Sequence, residues 1–344
     1  MEPVRKAPTI QDVARAAAVS TATVSRALSA PDRVSESTRA RISAAVLATG
    51  YTPNQSARSL RQRTSRTILV ALPDLRNPFF AAVLDAIERE ATGRGYGMLV
   101  ANRFPGIEPA RRMRDYFSSN RIDGLLLLDG TVDLQQLIAL AGDPQPVPLI
   151  VVCEEIPAAP FHTVKTDNAK AAARATRYLI ELGHRRIGHI RGPDDNILTG
   201  ERQRGFEAAM SAAGLEIRKE WLFQGAFDME TGHAVAHEFA ALKERPTALF
   251  VANDASAIGF LAGLREHGLD CPRDVSIIGF DDQAIATHSW PPLTTMRQPR
   301  AELGRIATAA LIDVIEGKQD ALPRSPVVLQ SELIIRASTA PLPR

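Results

Sequence analysis

From residue 67 onward, strand-length apolar runs alternate with helix-length amphipathic segments, and no other feature of the chain narrows its fold as far. The runs stand at 68–72, 97–101, 124–128, 149–153, 186–190, 248–252 and 276–280. Between most of them lie segments with one apolar face, such as 79–91, 171–182 and 200–213. A strand that is apolar on both faces has to be covered on both, and crossover helices that return the chain to the same end produce parallel strands. The pattern predicts α/β architecture, with doubly wound parallel sheets. Roughly 270 residues of it exceed one comfortable sheet and suit two similar lobes.

The stretch before it is different. Residues 8–50 are helical in pattern, without aromatics and without glycine until Gly50. Thr9 can cap a first helix, with Asp12 near its positive end, and Ile10, Val13, Ala14 and Ala17 form the inner face. After a break at Ala18 and Val19, Ser20 caps a second helix. Its Val24, Ala27 and Leu28 point inward, leaving Thr21, Ala22, Ser25 and Arg26 outward. A third helix follows the cap at Ser35 and ends near Gly50, a suitable C-terminal residue. Two short helices joined by a tight turn, over about residues 10–29, match a small all-α helix-turn-helix headpiece. Small outward residues let such a helix approach base edges, and Arg26 can pair with guanine O6 and N7.

Charge supports that division. Residues 1–66 carry 11 Lys and Arg against 4 Asp and Glu, while the remainder carries 30 against 35, so an overall +2 hides a basic module on an acidic body. Such asymmetry points to nucleic acid. Residues 51–66 are polar and basic and read as a linker with at most a turn or two of helix after Pro53. Cys153 and Cys271 give neither a disulfide framework nor a zinc spacing. The absence of an apolar leader and of any membrane-length apolar run leads us to expect a cytoplasmic protein with no membrane contact. There is no Walker loop, GxGxxG turn, GxSxG elbow or HExxH pair, so we expect no enzyme and no cofactor. His233 and His237 stand four apart on a predicted helix, but sequence spacing offers no third metal ligand. His184 and His189 read as local hydrogen-bonding residues at a strand start.

The segment Thr9-Ile-Gln-Asp-Val-Ala-Arg-Ala-Ala-Ala-Val-Ser-Thr-Ala-Thr-Val-Ser-Arg-Ala-Leu28 closely resembles the headpiece of the lactose repressor (LacI/GalR) family. Val34-Ser35, Thr38-Arg39, Gly50-Tyr51, Pro53-Asn54 and Ala57-Arg58-Ser59-Leu60 fit the same pattern. The family has glycine where this chain has Ala18, and a non-glycine residue in a left-handed turn costs about 1–2 kcal/mol. The resemblance implies a DNA-binding domain over 8–62, with a hinge helix over 54–61 that folds on DNA and wedges Leu60 into a minor-groove step. It implies that Thr9, Ser35, Thr38 and Tyr51 touch phosphates and that Thr21, Ala22 and Arg26 read bases, with Ser20, Ser25, Asn54 and Arg58 completing the contact set.

Resemblance extends over Asn77-Pro-Phe-Phe80, Asp123-Gly124, Gly183-His-Arg-Arg-Ile-Gly-His189, Arg202, Gly205-Phe206, Pro246–Asp254, Val275–Asp281 and Pro292-Leu-Thr-Thr295. It implies a periplasmic-binding-protein-like body over 67–340 that binds an effector and dimerises. Lobe 1 would cover about 67–163 and 293–324, and lobe 2 about 164–292 and 325–340. Ligands of parallel sheets bind outside the carboxyl ends of strands, which nominates Asp74, Phe79, Phe80, Glu154, Arg202, Phe227, Asn253 and Asp281. The family's variable pocket stretch adds Asn196 and Leu198. Acids, one arginine and aromatic faces suit a nucleoside or a sugar. Within the family the likeness is strongest to a nucleoside-responsive member, through 19–28, Pro31-Asp32, 65–70, Pro73-Asp74 and 332–336. The missing heptad tail suggests a homodimer on a near-palindromic operator. The expected function is therefore an effector-controlled, sequence-specific transcription regulator of the repressor type.

Overall fold

The computed structural model describes residues 8–51, 64–102, 121–132, 135, 137–138, 148–156, 158–318 and 326–342. The chain divides into two compact units, Met1–Ser65 and Arg66–Arg344. No described helix is long and apolar enough to cross a membrane. The hinge segment 54–61, with Asn54, Arg58 and Leu60, lies outside the described residues.

The first unit holds helices α1 (Ile10–Ala16), α2 (Thr21–Ser29) and α3 (Glu36–Thr49). Asp12 accepts both the Thr9 N–H (2.9 Å) and the Thr9 hydroxyl (2.7 Å), closing the first turn of α1. Ser20 Oγ accepts the Thr23 N–H at 3.1 Å and so caps α2. The turn between them passes through Ala18 at φ 50, the left-handed conformation in which family members place glycine. Gly50 ends α3 at φ 66, where a Cβ would be unfavourable. Val13, Val24 and Ile42 form the buried centre with Ala14, Ala17, Ala27 and Ala45.

Among the described residues the second unit contains two six-stranded sheets. In lobe 1, β1 (Thr67–Leu72), β2 (Gly97–Asn102), β3 (Gly124–Leu127), β4 (Leu149–Cys153), β5 (His162–Thr166) and β11 (Val327–Leu329) lie in the order β11-β5-β4-β3-β1-β2. All these pairs are parallel. In lobe 2, β6 (Ile187–Ile190), β7 (Leu222–Phe223), β8 (Ala248–Val251), β9 (Ser276–Asp281), β10 (Thr294–Arg297) and β12 (Glu332–Ile334) lie in the order β12-β10-β9-β8-β6-β7. Only β12 runs antiparallel, against β10.

Helix α4 (Phe79–Gly93) packs on α10 (Arg300–Ile315) in lobe 1. In lobe 2, α5 (Asn168–Glu181) packs on α6 (Ile197–Ala212), and α7 (Met229–Ala241) on α8 (Asp254–Glu266), while α9 (Ala284–His288) is a short turn near α8. Each sheet thus has apolar clusters on both faces, which is why its central strands are buried along their whole length.

The lobe boundaries shift relative to those read from the sequence. The 164–166 part of β5 and all of β11 belong to lobe 1, because Val164 pairs with both Val152 and Val327. Strand β10 belongs to lobe 2, with Thr294 opposite Ile278 of β9. Strands β5 and β10 carry Thr with Lys or Arg among their apolar residues and β11 is only three residues long, so sheet pairing rather than local pattern assigns them.

Candidate functional site

On the headpiece, Thr21, Ala22 and Arg26 are exposed along one side of α2, while Ser25 is half-buried. The opposite side, Val24 and Ala27, is buried against α1 and α3. The reading face is therefore set by the helix period: what is not needed for the core is presented to solvent. Thr9, Ser20 and Ser35 are exposed at the N-terminal ends of the three helices, where N–H groups and the helix dipole favour an anion. Each hydroxyl is also held locally: Thr9 by Asp12, Ser20 by Thr23 (2.8 Å between hydroxyl oxygens), and Ser35 donates to Thr38 at 2.9 Å. Tyr51 and Thr38 are half-buried. Tyr51 packs on the headpiece core, so only part of its surface faces outward.

In the body, Glu154 follows β4 on lobe 1 and is 4% exposed. Its carboxylate accepts the Gly130 N–H at 2.6 Å and the Asn196 side-chain amide, from lobe 2, at 3.1 Å. A Cβ on Gly130 would lie 2.3 Å from a Glu154 oxygen, so the close approach needs glycine. Burial pushes the Glu154 carboxyl up to about 7, against the lowering effect of those two hydrogen bonds. Asn196 also caps α6 by accepting the Leu198 N–H at 2.8 Å. Both residues of the variable stretch are thus fixed at one helix start.

Arg202 sits a turn further along α6 and is 3% exposed. Its Nε donates to Asn168 at 3.1 Å and a terminal nitrogen to the Ala252 carbonyl at 2.5 Å. The guanidinium lies over the Phe280 ring at 3.9 Å and over the Phe227 ring at 5.5 Å. Asp281, at the end of β9, accepts the side-chain amides of Gln298 (2.7 Å) and Gln283 (3.2 Å). Burial raises its carboxyl, and the charge of Arg202 opposes that rise. Asp254 is buried beside it, accepting from Thr295 (2.6 Å) and the Gln283 N–H (2.7 Å), and burial with the Asp281 charge holds its carboxyl well above the usual range. Asp281 and Asp254 thus share one buried pocket, with Arg202 and Arg300 as the cations that favour the ionised form of Asp281.

Phe227 holds φ 63 and Asp281 φ 115, two non-glycine residues in strained backbone. The Phe227 carbonyl is fixed by the Asn253 amide at 2.8 Å, while Asn253 caps α8 through the Ser256 N–H at 3.0 Å. Asn253 thereby links the Phe227 carbonyl to the start of α8. Strain at such positions persists only where surroundings enforce it, and it concentrates at binding sites.

The sequence-nominated residues thus separate. Glu154, Asn196, Leu198, Arg202, Phe227, Asn253 and Asp281 come together around the strand ends. Phe79 and Phe80 do not offer free faces: both are buried with Leu72, Val83 and Cys153 in the lobe 1 core, edge to face with each other. Asp74 is half-exposed and paired with Arg76 at 3.0 Å, which lowers its carboxyl. Sequence reasoning missed Lys165 and Glu201. Lys165, from β5, bonds Glu155 and also Glu201 of α6 at 3.2 Å, and Glu201 accepts from Asn168 at 3.0 Å. The only available signal was polar residues at the end of a strand that the apolar pattern did not reveal. His184 and His189 hydrogen-bond as expected, but to distant rather than local partners: His184 bridges Thr247 and the Ala340 carbonyl, and His189 donates to the Phe250 carbonyl at 2.8 Å.

Residues 9–54 match the model of bacterial regulatory proteins of the lacI family, and residues 176–339 match a periplasmic binding protein-like domain. The HTH-type transcriptional repressor CytR of Escherichia coli (strain K12) is 38% identical over 343 residues, covering 98% of each chain. A solved lac repressor dimer bound to operator and the anti-inducer ONPF covers 97% of this chain and 100% of its own, at 26% identity and TM-score 0.86. A transcriptional regulator CelR–cellobiose complex covers 96% of this chain and 99% of its own, at 31% identity and TM-score 0.72. With a helix-turn-helix headpiece joined to two parallel-sheet lobes and full-length similarity to a repressor, the chain belongs to the lacI family and is a DNA-binding, effector-regulated transcription regulator rather than an enzyme.

Proposed function

We propose that the chain acts in the cytoplasm as a homodimeric repressor of a near-palindromic operator, and that its effector is a nucleoside bound between the lobes without any cofactor. The observation that carries the effector reading is the inter-lobe meeting of Glu154 with Asn196 and Arg202 under the Phe227 ring. A carboxyl raised to about 7 can both donate and accept near neutral pH, which suits the mixed donor and acceptor edge of a base. The Phe227 ring offers a stacking face, and the acids accept from ribose hydroxyls.

Linkage supplies the mechanism. Asn196–Glu154 and Lys165–Glu201 tie lobe 2 to lobe 1. A ligand that takes the place of Asn196 on Glu154 changes those ties and therefore the angle between lobes. To move the protein from mostly bound to mostly free of DNA it must favour one arrangement by several kcal/mol. Arg26, exposed and free of core duties, reads a base directly, and the second headpiece of a dimer repeats that contact at the symmetric position.

A sugar is the second reading, favoured by the similarity to the regulator solved with cellobiose and by the density of carboxylates. Thermal-shift screening of the full chain against nucleosides, hexoses and disaccharides separates the two. Stabilisation by nucleosides alone, lost in Glu154→Gln, is expected; stabilisation by a sugar alone overturns the nucleoside assignment. Operator selection with Arg26→Ala tests the DNA side. Preference should relax at one symmetric pair of positions, with a loss of about 1–3 kcal/mol on the best site.

A further inference from the structure

His233 and His237 lie one helical turn apart on α7, with ring centroids 5.4 Å apart. Sequence spacing left that pair without a third ligand, but the fold supplies one. Helix α8 runs alongside, and its last residue, Glu266, places a carboxylate oxygen 2.8 Å from His233 Nε2 and the other 4.0 Å from His237 Nε2. One ligand atom from each of the three residues lies within 4.8 Å of the others. His267, the next residue, has its Nε2 2.7 Å from His237 Nδ1. Three of the seven histidines of the chain therefore converge on one patch.

The patch is held by backbone contact. A Cβ added at Gly259 would lie 2.0 Å from the Met229 carbonyl oxygen, and one at Gly263 would lie 2.7 Å from the Ala236 Cβ and 2.8 Å from the His233 carbonyl oxygen. The two helices touch along that line with nothing larger than the Ala236 methyl between their backbones at Gly259 and Gly263. The turn bearing both histidines is thus fixed against the end of α8, so the donors are positioned before any ligand arrives.

We propose that His233, His237 and Glu266 form a transition-metal site on lobe 2, selective for zinc-like borderline divalent ions, with His267 as the outer partner of His237. Two imidazoles and one carboxylate with an open fourth position form a donor set suited to zinc. Magnesium and calcium, which take oxygen ligands, are disfavoured. Of the two facing ring nitrogens, one must donate. When His237 Nδ1–H donates to His267 Nε2, the Nε2 lone pair of His237 is released for the metal, as in ligating histidines whose other ring N–H is held by a hydrogen bond. Helix α8 begins at the strand ends beside Asn253, and Glu266 closes its far end, so the site stands apart from the inter-lobe cluster by about 18 Å of helix.

The test uses the full-length chain without an affinity tag, stripped with chelator and titrated with Co²⁺. The expected result is a visible d–d absorption that saturates at one Co²⁺ per chain and is bleached by Zn²⁺. His233→Ala and His237→Ala should each abolish the band, while His267→Gln should keep it with an affinity weakened roughly 10- to 100-fold. His288→Ala, remote in sequence from the cluster, should match the wild type. The side chains of His233, His237 and Glu266 are at least a third exposed, so melting in chelator should be unchanged in these variants. If one of them melts early, Glu266→Gln, which preserves shape, decides by whether it loses the band. No band in the wild type, or one unaltered in His233→Ala and His237→Ala, overturns the proposal.

Discussion

The two regions of this molecule place their functional groups in opposite environments. In the headpiece the core is Val13, Val24 and Ile42 padded by alanines, and Thr21, Ala22 and Arg26 face solvent. In the body the groups that define the cluster are removed from water: Arg202, Glu154, Asp254 and Asp281 are all at most 4% exposed. Reading DNA needs charge and hydroxyls ready to meet a polyanion, and short capped helices provide that with little tertiary support. Sensing a small molecule needs polar groups whose hydrogen bonds matter energetically, and only a low-dielectric site with enforced geometry makes them matter. The headpiece is thus a surface device and the body a buried one.

The largest test of that contrast is salt. Operator binding by two headpieces, if it neutralises about 6–10 phosphates, should lose roughly 10³–10⁵ in affinity between 50 and 200 mM salt. Effector binding to the same protein should change by no more than about twofold, because buried groups are poorly screened. Fluorescence anisotropy and calorimetry on one preparation measure both; equal salt slopes would erase the distinction.

Removing the buried cation comes next. Arg202→Met removes the main charge that opposes the rise of Asp281 and leaves Asn168 and the Ala252 carbonyl without their buried donor, and should destabilise the body by about 3–5 kcal/mol. Differential scanning calorimetry should record the loss, whereas a headpiece change of equal charge, Arg26→Met, should leave the melting profile in place. A body that melts as before would mean that Arg202 is not what holds that acid.

A smaller effect concerns pH. Burial raises Glu154 from 4.5 to about 7, so across that window the folded chain keeps a proton that the unfolded chain has released. Stability contributed by this group is present at low pH and is lost as pH rises toward 7. Glu154→Gln should flatten the urea-midpoint profile between those pH values by on the order of 2–3 kcal/mol. An unchanged slope assigns the pH dependence to Asp254 and Asp281 instead.

The smallest expected effect returns to the headpiece. Ala18 holds φ 50 in the turn between α1 and α2. Ala18→Gly should relieve about 1 kcal/mol of left-handed strain, partly offset by the freedom glycine adds to the unfolded chain. A raised headpiece melting point with unchanged operator preference would confirm that the turn only joins the helices, and a changed preference would make it part of the reading geometry.

Local chemistry was enough for much of this protein. The caps at Thr9 and Ser20 and the inward set Val13, Val24 and Ala27 are written within a few residues of one another, so most of the headpiece was legible from sequence; that Ala18 keeps the left-handed turn was not, and Ser35 begins α3 with its hydroxyl on Thr38 rather than on a helix N–H. Seven of the twelve described strands stood out as apolar runs, six of them because a strand covered on both faces must be apolar throughout, while the edge strand β2 is largely exposed. What the sequence could not assign were β5, β7, β10, β11 and β12, which are short or mixed and exist through pairing with distant neighbours. The same holds for the sites. Strand ends nominated Glu154 and Asp281, and the neighbouring helix and loop Arg202 and Phe227, and the fold gathers these four together, yet Phe79 and Phe80, equally plausible as stacking faces, turned into core, and Lys165, Glu201 and Asn168 went unseen. A strand end is a local property, but whether a side chain there meets solvent, a core or a residue from the other lobe depends on contacts tens to hundreds of positions away. Glu266 meeting His233 and His237 is the plainest case: hydrogen bonds and ion pairs act over a few ångströms of space, and only the packing of α7 on α8 converts a sequence distance of some thirty residues into that separation.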